Sequence, residues 1–265
     1  MMTQLPSSPP PRHRLSTRLW HWANAVVVLV MVMSGLMIFN AHPRLYWGAY
    51  GANADPAWLE IGATGDAQHL AGGLRIGSMS IGTTGLLGAS AGEDGAMQAI
   101  AFPGWATIPG SYDLALARRW HLAFAWALAV GLAVYVVRSL VNGHIWRDLH
   151  ISRAEWAPRH IWGDVRDHLR LRFDDASYGV LQKLAYVGVL FVLLPAMIAS
   201  GLAMAPGMDA AAPWLVDLFG GRQSARSVHF IGMAGLVGFV GLHLSMVLLS
   251  GPLRRVWAMI AGGRA

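Results

Sequence analysis

Residues 227–251 read SVHFIGMAGLVGFVGLHLSMVLLSG. The stretch holds no Asp, Glu, Lys or Arg, and its only titratable groups are His229 and His243. Its length suits a membrane-spanning helix, which needs about 20 apolar residues. The two histidines are 14 positions apart, so at about 1.5 Å and 100° per residue they share one helix face, about 21 Å apart along the axis. Ionisable groups at membrane depth are expensive and point to function. Two on one stripe, near opposite ends of one helix, suggest two ligand positions stacked across a bilayer.

Three more segments are long and free of charged residues: His21 to Ala41, His121 to Val137 and Leu184 to Met208. Of the 265 residues, 55% are hydrophobic and 13% charged, about half the charge of an ordinary soluble domain. We expect an all-α integral membrane protein, a four-helix bundle in one domain over residues 1–265. The spans are expected at Leu19–Phe39, Arg119–Leu140, Leu181–Met204 and Ala225–Leu249. The N-terminus has no cleavable signal pattern, so the first span is expected to be retained. There is no Cys, which removes iron–sulfur clusters, thiolate zinc sites and thioether-attached haem.

The net charge of +6 raises a nucleic-acid reading, but the placement of the charges argues against it. Basic residues near span ends stay in the cytoplasm. Arg12, Arg14 and Arg18 precede span 1. Arg138, Arg147, Arg153, Arg159, Arg166, Arg170, Arg172 and Lys183 lie between spans 2 and 3, and Arg254, Arg255 and Arg264 follow span 4. The segment after span 1 carries only Arg44 and Arg75 before Arg118. Both termini are therefore expected inside, with a long extracytoplasmic loop at 42–117 and a cytoplasmic connection at 141–180. The outer loop is Gly-rich, with eight Gly between Gly72 and Gly95; we expect at most a short hairpin around Leu74 to Leu87. In the connection, Ile161, Trp162, Val165, Leu169 and Phe173 recur at helical spacing with Arg between them, the pattern of a helix lying in the headgroup plane. Spans 1 and 3 share an echo, Ser34-Gly35-Leu36-Met37 against Ser200-Gly201-Leu202-Ala203-Met204, as small residues do at helix contacts in membranes.

Topology assigns each buried histidine a depth. His21 and His243 fall near the inner face, His121 and His229 near the outer face. Two imidazoles at one depth on different helices suit a flat macrocycle held edge-on, one nitrogen on each side of its iron. That is bis-histidine haem ligation, which fills both axial positions and favours electron transfer. Gly35 lies 14 residues after His21, where a side chain would meet an outer macrocycle. Arg118, Arg119, Arg222 and Arg226 near the outer pair, and Arg18, Arg254 and Arg255 near the inner pair, are candidate propionate partners. His13, His42 and His69 read as surface residues, and His144, His150, His160 and His168 as solvated. A haem-free transporter or proton relay is the rival reading. It would need ionic partners for these histidines, and the spans contain no carboxylate. A non-haem iron enzyme would need tight His clusters, whereas these four are spread over two depths.

These residues carry a resemblance. Arg18-Leu19-Trp20-His21-Trp22, Ser34-Gly35, Arg119-Trp120-His121, Gln182-Lys183 and the His229–His243 spacing resemble the bacterial di-haem cytochrome b family. That family includes the membrane subunits of nickel–iron hydrogenase, formate dehydrogenase (gamma subunit) and thiosulfate reductase. The resemblance covers all four spans. It implies two haem b groups held by His21, His121, His229 and His243, with exchange of electrons between quinone and a partner oxidoreductase. It also implies a multi-pass protein of the bacterial inner membrane, in contact with lipid and with no nucleic-acid partner. The long loop is more similar to the thiosulfate-reductase-like branch, whose members often accompany periplasmic molybdenum enzymes; a molybdenum or hydrogenase-like enzyme would then dock on the outer face.

Overall fold

The computed structural model describes residues 15–66, 69–92, 94–143, 145–146, 150–152, 155–170 and 179–262. Arg12, His13, Arg14, His144, Arg147, Arg153, Arg172, Phe173 and Arg264 lie outside the described residues, as do the side chains of His168 and Arg254.

Four helices are long and apolar enough to cross a membrane: α1 (Leu15–Asn40), α2 (Leu114–Val141), α4 (Val180–Ala203) and α7 (Arg222–Leu249). At 24 to 28 residues each, they reach about 36–42 Å, more than a hydrocarbon core of about 30 Å. Their outward faces are apolar; Trp126, Val192 and Leu248 are each about two-thirds exposed. Helix α2 starts earlier than expected because Asp113 caps it, accepting a hydrogen bond from the Leu116 N–H at 2.9 Å. That bond satisfies one of the amides a helix start leaves unpaired. Helix α4 widens to a π-turn at Val189–Leu193. Pro195 stands two residues after it; it has no N–H, and its ring clashes with the carbonyl four residues back, so the turn opens.

The helices pair as two hairpins, α1 on α2 and α4 on α7. Leu128, Leu194 and Leu236 form the core between them, with Val27, Val28, Leu132, Leu193 and Phe239 packed around it. Helix α3 (Pro158–Leu169) carries Ile161, Trp162 and Val165 of the helical pattern read in the connection, and the Leu169 side chain, like Phe173, lies outside the described residues. The Asp164 carboxylate accepts from the Leu181 N–H at 2.8 Å, which ties α3 to the start of α4. Short helices α5 (Pro206–Ala211) and α6 (Pro213–Leu218) join α4 to α7. Gly251, at φ +94°, turns the chain into α8 (Pro252–Ala261). That helix meets the start of α1, where Arg18 Nη1 donates to the Ile260 carbonyl at 3.0 Å and Trp22 Nε1 to that of Met259 at 3.2 Å. We call this the terminal end of the bundle.

The all-α expectation fails at the opposite end. Residues 44–99 form six strands among the described residues. β1 (Arg44–Leu45), β2 (Leu59–Thr64), β3 (Ala71–Ile76) and β4 (Met79–Gly82) make an antiparallel sheet in chain order, and β5 (Ala89–Ala91) pairs with β6 (Met97–Ala99). The expected hairpin is β3–β4, with Ile76 opposite Met79, shifted a few residues toward the N-terminus. The glycines misled because they serve close backbone contact here. A Cβ at Gly88 would collide with the Gly62 carbonyl, and Gly88 has φ +79°. Glu60 on β2 joins Arg44 and Arg75 on the flanking strands, at 2.7 and 2.5 Å. Burial alone would raise the Glu60 carboxyl, but hydrogen bonds from Arg75 and Arg44 outweigh it and hold it below its usual range.

The sheet is bolted to the bundle. Leu45, Leu59 and Ile61 bury against Phe39 of α1 and Phe230 of α7. The Gly48 carbonyl accepts from the N–H groups of Gln223 and Ser224, both at 3.1 Å, and so serves the open amides at the start of α7. Trp58 Nε1 donates to Ser227 Oγ at 2.9 Å, and that hydroxyl donates to the Tyr46 carbonyl at 2.6 Å.

Candidate haem-binding histidine pairs

The structure brings the four histidines together in the expected combinations. At the sheet end, the ring centres of His121 (α2) and His229 (α7) are 6.2 Å apart. At the terminal end, those of His21 (α1) and His243 (α7) are 6.3 Å apart. A nitrogen about 2 Å from a metal, with its ring centre about 1.1 Å behind, puts two axial imidazoles about 6.2 Å apart, centre to centre. Both ring separations match that of two imidazoles on opposite sides of one metal. Seven residues from His121, from His229 and from His243 lie Leu128 and Leu236, so the apolar core separates the two levels.

The hydrogen bonds assign the sheet-end tautomers. Nδ1 of His229 lies 3.0 Å from the Met197 carbonyl and 3.0 Å from Ser200 Oγ. A carbonyl only accepts, so Nδ1 carries the proton and the lone pair belongs to Nε2. Nδ1 of His121 lies 3.1 Å from Ser34 Oγ. That hydroxyl donates to the Val30 carbonyl at 2.6 Å, which leaves its oxygen to accept from Nδ1–H. Metal-bound histidines carry the same arrangement, with the far nitrogen donating to an oxygen. At the terminal end, Trp22 sits edge-on to His21 at 5.2 Å and Phe239 lies parallel to His243 at 6.4 Å.

Gly35 makes a contact that its expected role did not include. A Cβ there would meet His121 Cε1 at 3.3 Å, so this glycine makes room for the imidazole itself. Gly201 does the same for His229, at 3.4 Å. The Ser-Gly echo was therefore the signal for two partners whose role was not recognised from sequence, Ser34 and Ser200. The arginines divide. Arg118 and Arg119 are exposed. Arg226 is half-buried, donates to the His42 carbonyl and lies over the Phe39 ring. Arg222 donates to the Met204 carbonyl at 2.8 Å, Arg255 to that of Ser250 at 3.2 Å. His69, His150 and His160 are exposed as expected, but His42 is half-buried, its ring against Tyr46. Burial, then Arg226 and Arg44, lower the His42 pKa. Among the described residues no group of three or more His, Asp or Glu is placed to hold a metal. The converging groups are pairs, and a haem asks two ligands of the protein.

Residues 12–262 match the family model described as prokaryotic cytochrome b561. The chain belongs to that family. It is a multi-pass membrane cytochrome of the b type, a class that carries haem b and transfers electrons. It is 28% identical, over 92% of its length and 93% of the relative's, to a putative protein-methionine-sulfoxide reductase subunit YedZ1 of Azospira oryzae. It is also 28% identical to a probable Ni/Fe-hydrogenase B-type cytochrome subunit of Azotobacter vinelandii, over 60% of this chain and 74% of that one. A protein of the same description from Azotobacter chroococcum is 29% identical over 52% of this chain and 64% of its own. No solved structure matches.

Proposed function

We propose that this b561 protein is a di-haem electron conduit of the bacterial inner membrane, built as one membrane domain over residues 1–265. His121 and His229 hold one haem b, and His21 and His243 the other. The carrying observation is the pair of ring separations, 6.2 and 6.3 Å, at two levels of one bundle. Each haem, when bound, supplies a one-electron iron couple. The residues of the chain position the couples. Ser34, Ser200 and the Met197 carbonyl hold the imidazole protons on Nδ1, and Leu128, Leu194 and Leu236 fill the space between levels. The exposed Arg118 and Arg119 at the sheet end are the cations available to propionates.

The basic residues near span ends support a cytoplasmic terminal end and a sheet end facing out. The sheet end then receives a partner oxidoreductase, and quinone exchanges electrons with the chain inside the membrane. The relatives named as reductase and hydrogenase subunits support such a partner. The test is a reduced-minus-oxidised spectrum of the purified protein with haem quantification. Two haems b per chain are expected. His229→Ala should remove the sheet-end haem alone, and His243→Ala the terminal-end haem alone. A haem-free protein made under haem-replete conditions, or one site emptied by both variants, would refute the assignment.

A further inference from the structure

Ser34 and Ser200 are both fully buried in the bundle, with no exposed surface. A buried hydroxyl in a helix ordinarily satisfies itself by bonding back to a carbonyl three or four residues earlier. Both do so: Ser34 to Val30 at 2.6 Å, Ser200 to Met197 at 3.1 Å. That back-bond uses the hydroxyl proton and leaves the oxygen turned across the helix contact. In each case an imidazole Nδ1 meets it, at 3.1 and 3.0 Å. The next residue in each case is a glycine, against which the ring lies, with 3.3 and 3.4 Å between a built Cβ and Cε1.

The two arrangements occur in separate hairpins and share the serine–imidazole bond and the glycine contact; they differ in that His229 Nδ1 also reaches the Met197 carbonyl, at 3.0 Å. Exchanging α1 and α2 for α4 and α7 carries Ser34 onto Ser200, Gly35 onto Gly201 and His121 onto His229. The same exchange does not carry the terminal-end pair onto histidines. The position 13 before Ser200 is Val187, where His21 precedes Ser34, and the position 14 after His121 is Tyr135, where His243 follows His229. The repeat is thus kept in full only around the sheet-end site.

We propose that Ser34 and Ser200 are matched positioning residues for the two axial imidazoles of the sheet-end haem, and that they lower its potential. The inference rests on the ligand assignment above. An acceptor on Nδ1–H fixes the ring and makes Nε2 a more basic donor, which favours ferric over ferrous iron. Removing one acceptor should shift the ferrous-to-ferric balance of that haem by about three- to tenfold toward ferrous. At 59 mV per factor of ten for one electron, this is about 30–60 mV upward.

The experiment is a redox titration of the membrane-reconstituted protein carrying Ser34→Ala, Ser200→Ala or both, with haem stoichiometry measured alongside. His229→Ala identifies which potential belongs to the terminal-end haem. The sheet-end potential should rise most among the single variants in Ser34→Ala, less in Ser200→Ala because the Met197 carbonyl still accepts from His229 Nδ1, and furthest in the double, while the other haem stays put. Ser→Thr, which keeps the hydroxyl, should restore it. If a Ser→Ala variant loses only the sheet-end haem and Ser→Thr regains it, positioning is equally supported. Two retained haems with unmoved potentials, an equal shift in both haems, or a loss that Ser→Thr does not repair overturns the inference. A wild-type protein without two haems refutes the underlying assignment instead, so the two failures are told apart.

Discussion

Ser227→Ala tests whether the sheet is held by the bundle through the contacts described. Ser227 is fully buried. Its hydroxyl accepts from Trp58 Nε1 at 2.9 Å and donates to the Tyr46 carbonyl at 2.6 Å. Alanine removes one partner from each of two groups and offers no replacement. Leaving a buried donor or acceptor unpaired costs about 1–3 kcal/mol each, so a total of about 2–6 kcal/mol is expected. At 1.4 kcal/mol per factor of ten, opening of the sheet from α7 becomes roughly 30- to 20,000-fold more frequent. Hydrogen exchange read by mass spectrometry in lipid nanodiscs should show it in peptides covering Leu45 to Ile61. Peptides from Leu184 to Leu194, remote from the contact, should not change. Trp58→Phe, which removes the indole N–H and leaves Ser227 bonded to Tyr46, should give a smaller effect. Unchanged exchange at Leu45–Ile61 in Ser227→Ala would refute the reasoning, because it would mean these bonds do not hold the two parts together.

Two further outcomes are expected. Leu236→Ala removes most of a buried leucine from the core between the levels and should cost about 2–5 kcal/mol; thermal unfolding in detergent at a matched wild-type temperature would contradict this. At the terminal end, Lys183 Nζ donates to Glu155 at 2.7 Å; that bond first, then Ser152, lowers the Glu155 pKa to about 2. The folded value is below the unfolded one, about 4.3, so the stabilisation is present above that value and is lost as pH falls from there toward 2. Proteolysis by pepsin within 150–183 should rise over that range in the wild type but not in Glu155→Gln, and equal pH dependence in both would count against the bond.

The helices and histidine partners were legible because both depend on simple rules. A charge-free run of sufficient length marks a span, and a separation of 14 marks one face. The sheet was not legible, because its strands are short and its glycines, such as Gly62 opposite Gly73, replace the alternating side chains by which a strand is recognised. The roles of Ser34 and Ser200 were hidden for another reason. Their echo is visible in sequence, but a hydroxyl gains meaning only when its partner is known, and the partners lie 87 and 29 positions away. The expectation for His42 failed similarly, since Arg226 and Tyr46 cover it through contacts that no local pattern announces.

The layer of Leu128, Leu194 and Leu236 has an electrical consequence. It is built of hydrocarbon, through which an electron can tunnel but a proton finds no carrier. An electron passing between the levels would therefore travel without a compensating ion and move net charge through an insulator. Each such passage works with or against the membrane voltage, by about 2.3 kcal/mol per 100 mV for a full crossing. On the di-haem reading, three leucines couple the chain's redox chemistry to the voltage of the membrane that holds it.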